Sequence, residues 1–373
     1  YNGSLPTLVL NPYSWTKAAS IIFVDAPVGT GFSFSKSLKG VLTGDFVYAN
    51  RSLNFLRMWL LAHPEFSSLP LYLGGDSFSG MIIPIIAEEI AKSTEANRIL
   101  GINLQGYVLG NPATDAKLDG NSKVKFAHSM AIISDELYES VKKTCKGQYT
   151  GTHKNDMCAR DLEAISVCIE NLSEPNVLDP NCDRDISDND QKMDDNGRSL
   201  LEKPLKPNPI QRRLNFGGPL ENPKFGCRNY VNKLVYHWAN DVTVQEALHI
   251  QKGTIKTWIR CDRNLPYMHQ VGSVVSYHER LNSRGYRALI YSGDRDMMVP
   301  YIGTQAWIKS LNLTISGQWR PWMVGDEIAG YVTEYSKGSF TFATVKGGGH
   351  TAPEYYPKEC LAMFKRWISQ EPL

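Results

Sequence analysis

Apolar and polar positions follow two periods along this chain and divide it into three stretches. In the first, residues 18–24 (AASIIFV) form a short β-branched apolar run of the kind a buried strand carries, closed by Asp25-Ala26-Pro27. Residues 46–61 place Phe55, Trp59 and Leu60 at helical spacing before His63-Pro64 stops the pattern. Residues 71–83 (LYLGGDSFSGMII) pass from an apolar strand through a tight polar turn into a helix, whose apolar positions continue through Ile86, Ala87 and Ile90. Residues 104–109 predict another strand, closed by Gly110-Asn111-Pro112. The order strand, helix, strand, helix, strand implies a parallel sheet with helices on its faces.

The character changes between residues 117 and 251, where helical segments alternate with polar loops and six-residue strand patterns are absent. Within it, residues 184–215 are dense in Asp, Lys, Arg, Asn and Pro and read as an exposed or disordered linker open to proteolysis. The α/β pattern then returns. Residues 287–292 (RALIYS) predict a strand, 301–311 a helix, 318–324 and 330–335 a hairpin, 340–345 the last strand, and 358 to about 369 an amphipathic helix. The expected organisation is therefore a sheet domain in two parts, 1–116 and 252–373, interrupted by a helical insertion over 117–251.

Composition narrows the class. At 373 residues the chain can bury a large core, and 42% hydrophobic with 21% charged residues is ordinary for a globular protein. A formal charge of +2 is too small to argue for nucleic acid or a membrane surface, and neither is expected as a partner. No apolar run has the length of a membrane span, and the opening YNGSLP has no signal-peptide pattern. Nothing sets the oligomeric state. The cysteines at 145, 158, 168, 182, 227, 261 and 360 form no CxxC pair, so no zinc or other metal is expected. Sequons at Asn2, Asn50, Asn171 and Asn312, together with these dispersed cysteines, lean toward a secreted or vacuolar route with disulfides.

The 71–83 stretch carries the candidate chemistry. Strand, sharp turn and helix are the setting of a nucleophile elbow, with Gly75 two residues before Ser77 and Ser79-Gly80 after it. The structural alternative is a βα turn with N-capping Asp and Ser. A serine hydroxyl needs a base within reach and an acid to orient that base. In an α/β-hydrolase these follow in the order Ser, Asp or Glu, His. Here Ser77 is followed by Gly293-Asp294-Arg295-Asp296 after a late strand, and by His350 after three glycines that close the last strand. Asp296, with Pro300 behind it, fits the acid position, and Asp294 is the competing residue with a turn role as its alternative. The other histidines read as structural, with His128 or His278 able to line a pocket. The Phe78 N–H, directly after the serine, is one candidate oxyanion donor. No glycine-rich turn before residue 18 offers a second.

With these residues in place the chain resembles the serine carboxypeptidase-like family, in its plant acyltransferase-type branch. The resemblance rests on residues 13–35 (YSWTKAASIIFVDAPVGTGFSFS), 74–84 (GGDSFSGMIIP), 104–115 (LQGYVLGNPATD), 126–140 (FAHSMAIISDELYES), 291–307 and 347–357 (GGGHTAPEYYP). It implies an α/β-hydrolase fold with a helical insertion, a Ser77–Asp296–His350 triad, no cofactor, and a vacuolar or secreted glycoprotein that some members cut into two chains at the linker. It implies disulfides Cys145–Cys158 and Cys182–Cys227. Cys261 is expected to pair with a cysteine in a GGPGC-type turn that would precede Tyr1, leaving Cys168 and Cys360 as free thiols. By this comparison the chain lacks its N-terminal strands and the second oxyanion donor, a loss that typically costs about 10²–10³ in rate.

The residue before the serine bears on the activity. Peptidase members have glutamate there, to hold the substrate's terminal carboxylate. Asp76 is one methylene shorter, as in the acyltransferase branch, with N-capping as its structural alternative. The resemblance thus implies acyl transfer from a glucose ester, a hydroxycinnamoyl or galloyl glucose, to an acceptor hydroxyl, with Gly75 and Asp76 beside the substrate. The alternatives are a C-terminal exopeptidase, a hydroxynitrile lyase as a distant variant, and a truncated, inactive relative.

Overall fold

The structure is a computed structural model and describes residues 7–95, 102–151, 155–182, 228–262 and 264–373. The chain forms two compact units: Leu10–Leu178 with Asn264–Leu373, and Tyr1–Val9 with Asp179–Arg263.

The larger unit is organised by a six-stranded sheet of β1 (Leu71–Asp76), β2 (Leu104–Gly110), β3 (Arg287–Gly293), β4 (Ile315–Val324), β5 (Glu327–Tyr335) and β6 (Phe340–Val345). The spatial order is β1-β2-β3-β6-β5-β4. The four strands β1, β2, β3 and β6 run parallel, whereas the β4–β5 hairpin returns antiparallel. Near the C-terminal edge Asp76 pairs with Gly110, Gly110 with Tyr291, and Tyr291 with Ala343, and β3 and β6 continue two residues beyond this row.

Both faces of this sheet are covered, so its central strands are apolar at nearly every position rather than at alternate ones. On one face Tyr107, Leu109, Ile290 and Phe342 meet Ile82, Ile86 and Ile90 of α2 (Ser79–Glu95), with Leu53 and Leu56 of α1 (Asp45–Ala62), Leu281 of α8 (Val275–Ser283) and Trp307 of α9 (Tyr301–Ser310) completing the core. On the other face Val108, Leu289, Tyr291, Ala343 and Val345 pack on Met363, Phe364 and Trp367 of α10 (Pro357–Ile368). Trp15 stacks on Phe364 at 4.3 Å between ring centroids.

A third core lies in α3 (Ala116–Ser129), α4 (Asp135–Cys145) and α5 (Asp156–Ile169), where Val124, Phe126, Val141 and Ile165 gather with Met297. Each of these helices starts on a polar cap, Asp115, Ser134 and Asn155 accepting backbone N–H bonds from the first turn. The disulfide Cys145–Cys158 ties α4 to α5. Among the described residues no strand lies between β2 and Tyr267. The smaller unit contributes α6 (Asn229–Ala239) and α7 (Val242–Ala247), with Asn240 accepting from the Trp258 N–H and donating to its carbonyl. The 184–215 linker, Asn2 and Cys227, and with it the Cys182–Cys227 pairing, lie outside the described residues. Cys168, Cys261 and Cys360 are free thiols, Cys360 buried and the other two exposed.

One expected strand is absent. Residues 18–24 form no strand, and Ile22, Phe23 and Val24 are 42%, 81% and 46% exposed. A strand is held by ladder bonds to a neighbour, and no described strand pairs with this run. The apolar pattern was there, but pattern alone supplies no partner. β1 consequently forms an edge of the sheet among the described residues.

Burial separates two phenylalanines of similar sequence surroundings. Phe342, 1% exposed, is expected to cost about 3–5 kcal/mol when truncated to alanine. Phe23→Ala is expected to fall within about 0.5 kcal/mol of the parent. Urea unfolding of the two variants checks both values, and a large loss at Phe23 would contradict its exposed placement.

Candidate active site

The loops that leave the C-terminal strand ends carry the candidate residues to one place. Ser77 follows β1 with φ 54°, a left-handed conformation that a non-glycine residue adopts only under constraint. Its N–H donates to Gly110 O at 2.9 Å, and its carbonyl accepts from Gly80 N and Ala113 N, both at 3.0 Å. Two glycines make this turn possible by close approach. A Cβ on Gly75 would stand 2.4 Å from Ser79 Cβ, and one on Gly80 would stand 2.4 Å from Ala113 O. The elbow therefore closes on its own helix and on the loop after β2.

Ser77 Oγ lies 2.7 Å from His350 Nε2, and His350 Nδ1 lies 2.8 Å from Asp296 Oδ2. A carboxylate only accepts, so the Nδ1 proton belongs on the Asp296 side and Nε2 is left to accept from the serine hydroxyl. Asp296 is fully buried, and its oxygens also accept from Met298 N at 2.7 Å, Val299 N at 3.3 Å and Asn111 Nδ2 at 2.8 Å. Asp294, the competing acid, instead accepts from Gly347 N at 2.8 Å and pairs with Arg295. It is the turn residue that holds the glycine loop in front of His350.

His350 sits in opposing fields. Burial disfavours its charged form, but the hydrogen bond and the charge of Asp296, with a further contribution from Asp76, outweigh burial and raise its pKa above the ordinary imidazole value. Asp76 ends β1 and is exposed. Phe78 is 36% exposed, with its ring edge-on to Tyr267 and His269 at 5.5 Å each.

A segment that carried no signal in the sequence also builds this place. His350 N donates to Pro175 O at 2.7 Å, Met297 N to Glu174 O at 2.9 Å, and Val177 N to Arg295 O at 3.1 Å. Residues 174–177 thus bind both the acid loop and the histidine loop. Asn111, read from sequence only as the end of a strand, is likewise in contact with the acid.

The remaining candidates lie apart. His278 is buried against Tyr107, its Nδ1 2.8 Å from the phenol oxygen, and burial pushes its pKa down to about 3. His128 pairs with Asp135 at 2.6 Å on the helical side. Asn50 on α1, Asn171 after α5 and Asn312 after α9 are all exposed. No group of three or more His, Cys, Asp or Glu side chains among the described residues could hold a metal ion. Nor, among them, is any helix long and apolar enough to cross a membrane.

The raised His350 pKa can be measured without a substrate. Its ring signals are expected to titrate above about 6.5 in the folded chain. Between that ordinary value and its own, the folded chain holds a proton that the unfolded chain has lost, so this group's stabilisation is full at low pH and disappears as pH rises through the folded pKa. Asp296→Asn removes the carboxylate's hydrogen bond and charge, leaving burial opposed only by the weaker contribution of Asp76, and is expected to lower the midpoint. An NMR titration of both chains in which the midpoint does not fall would break this account.

Comparison with known proteins agrees with the geometry. The family model described as serine carboxypeptidase matches residues 1–370. Serine carboxypeptidase-like 2 of Arabidopsis thaliana is 46% identical over 374 residues, covering 100% of this chain and 76% of that protein. Serine carboxypeptidase-like 17 of the same plant is 43% identical with the same coverage. Among solved structures, a prohormone-processing carboxypeptidase from Saccharomyces cerevisiae superposes with a TM-score of 0.69 at 17% identity, over 97% of this chain and 76% of that one. That likeness identifies the sheet and its helices as an α/β-hydrolase-type fold. With a matching family model across nearly its whole length and such relatives, the chain belongs to the serine carboxypeptidase family.

Proposed function

We propose that this chain is a serine carboxypeptidase-like acyltransferase, which moves an acyl group from a glucose ester to an acceptor hydroxyl through an acyl-Ser77 intermediate. The observation that carries the serine chemistry is the contact chain of 2.7 and 2.8 Å from Ser77 through His350 to Asp296. The one that favours transfer over peptide hydrolysis is aspartate rather than glutamate at position 76.

Ser77 Oγ attacks the ester carbonyl while its proton passes to His350 Nε2. The resulting imidazolium is held by Asp296, whose carboxylate remains charged. The oxyanion of the tetrahedral intermediate lies toward the Phe78 N–H at the start of α2, where the helix end favours negative charge. Collapse breaks the bond to glucose, which leaves with the proton from His350. An acceptor hydroxyl then gives its proton to His350 and attacks the acyl carbon. The new ester departs as Ser77 Oγ takes the proton back. Water is excluded from the second step only as far as the acceptor occupies its place. The site needs no cofactor for these steps. A secretory route to the vacuole or the cell exterior, with glycans at the sequons, belongs to the same reading. It is supported by the Cys145–Cys158 disulfide and by exposed Asn50 and Asn171.

Incubation with a hydroxycinnamoyl glucose ester, without acceptor, is expected to add one acyl mass to Ser77 in the intact protein. Cleavage of a blocked dipeptide with no acyl adduct would give the carboxypeptidase reading instead. Asp76→Glu is expected to raise dipeptide cleavage roughly tenfold, the ~1.4 kcal/mol of one recovered hydrogen bond to a charged group. An unchanged rate would remove the argument from position 76.

A further inference from the structure

We infer that Asn111 is a positioning residue that couples the acid to the nucleophile through the loop after β2. The inference rests on the reading of Ser77, His350 and Asp296 as the reacting set. Asn111 is fully buried at the C-terminal edge of the sheet, and its φ of 40° is left-handed. A buried non-glycine residue in that conformation persists only where its surroundings over-determine it. Its surroundings do so with every polar group it has outside its own carbonyl. The backbone N–H donates to Tyr291 O at 2.7 Å, Oδ1 accepts from Gly293 N at 3.1 Å, and Nδ2 donates to Asp296 Oδ2 at 2.8 Å.

The oxygen that receives Asn111 is the same one that faces His350 Nδ1. A neutral amide here fixes the direction of the carboxylate without cancelling its charge, so the charge stays available to the imidazolium. The same loop holds the other end of the set. Ala113 N donates to Ser77 O, and Ala113 and Pro112 press against Gly80 so closely that no Cβ fits there. One residue further, Thr114 N and Asp115 N are both held by Asp119 Oδ2, at 2.8 and 3.1 Å. Within five residues the chain therefore touches the acid, the backbone of the nucleophile and a buried anchor. A sub-ångström shift of this loop displaces Asp296 and Ser77 relative to each other, and misplacement of about 1 Å can cost 10²-fold in rate.

The test uses a fluorophosphonate, which reports the reactivity of the serine whatever its natural acyl donor. Asn111→Ala is expected to slow labelling of Ser77 by about 10²-fold in a chain with unchanged circular dichroism. Asn111→Asp supplies a signature that a purely structural role would not give. Two carboxyls in hydrogen-bonding contact resist losing both protons. While the introduced carboxyl is protonated it still donates to Asp296, and labelling is expected within about threefold of the parent near pH 5. As it ionises, the pair repels, and labelling is expected to fall more than about tenfold relative to the parent by pH 8. Asn111→Ala labelling within about threefold of the parent, or an Asn111→Asp profile parallel to the parent's, overturns the proposal. If Asn111→Ala does not fold, the Asn111→Asp profile decides alone. A parent chain whose Ser77 does not label overturns the serine-nucleophile reading, and this proposal with it. A labelled parent with unresponsive variants overturns this proposal only.

Discussion

The parallel register of β1, β2, β3 and β6 is the constraint on which the site depends. Parallel strands end on a common edge: Asp76 pairs with Gly110, Gly110 with Tyr291 and Tyr291 with Ala343, and β3 and β6 run two residues further, to Gly293 and Val345. Each strand releases its chain at that edge: Ser77 from the first, Asn111 from the second, Asp294 to Asp296 from the third, and the glycine loop before His350 from the fourth. The register is fixed in turn by the two apolar faces. A slip of one residue would turn Leu109 and Ile290 away from α2 and Val108 and Leu289 away from α10. The positions of four polar groups are thus set by buried apolar side chains with no chemistry of their own.

The site is expensive in local terms. It holds two left-handed non-glycine residues, Ser77 and Asn111, and a fully buried carboxylate at Asp296. Each is tied by several hydrogen bonds to backbone, which is the condition for such features to persist. The same logic governs Asp119, whose burial pushes its pKa up to about 6 against the two backbone N–H groups that favour its charge. Its second oxygen has no partner among the described residues.

Most of the sheet was legible because its strands are short, apolar and bounded by glycine, proline and aspartate. The β6 span from Phe340 to Val345 coincides with its pattern, and the elbow, the glycine loop and the choice of Asp296 over Asp294 follow from residue order and turn chemistry. Residues 18–24 show the limit. Their pattern is that of a strand, but a ladder needs a neighbour, and that is a property of the assembled sheet. Asn111 and residues 174–177 were illegible for a related reason. Nothing local distinguishes an asparagine that ends a strand from one that also holds a distant carboxylate. Glu174, Pro175 and Val177 act through their backbone groups, which every residue has.

The path of residues 174–177 has a consequence for the chain as a covalent object. Ser77, Asn111 and Pro175 precede the 184–215 stretch, while Asp296 and His350 follow it. A cut anywhere in that stretch would divide these side chains between two polypeptides. The bonds Pro175–His350, Glu174–Met297, Val177–Arg295 and Asn111–Asp296 would then run from one polypeptide to the other. Peptide continuity through the linker is not what aligns Ser77 with His350. The two halves meet in a shared sheet, and the site is the seam that joins them.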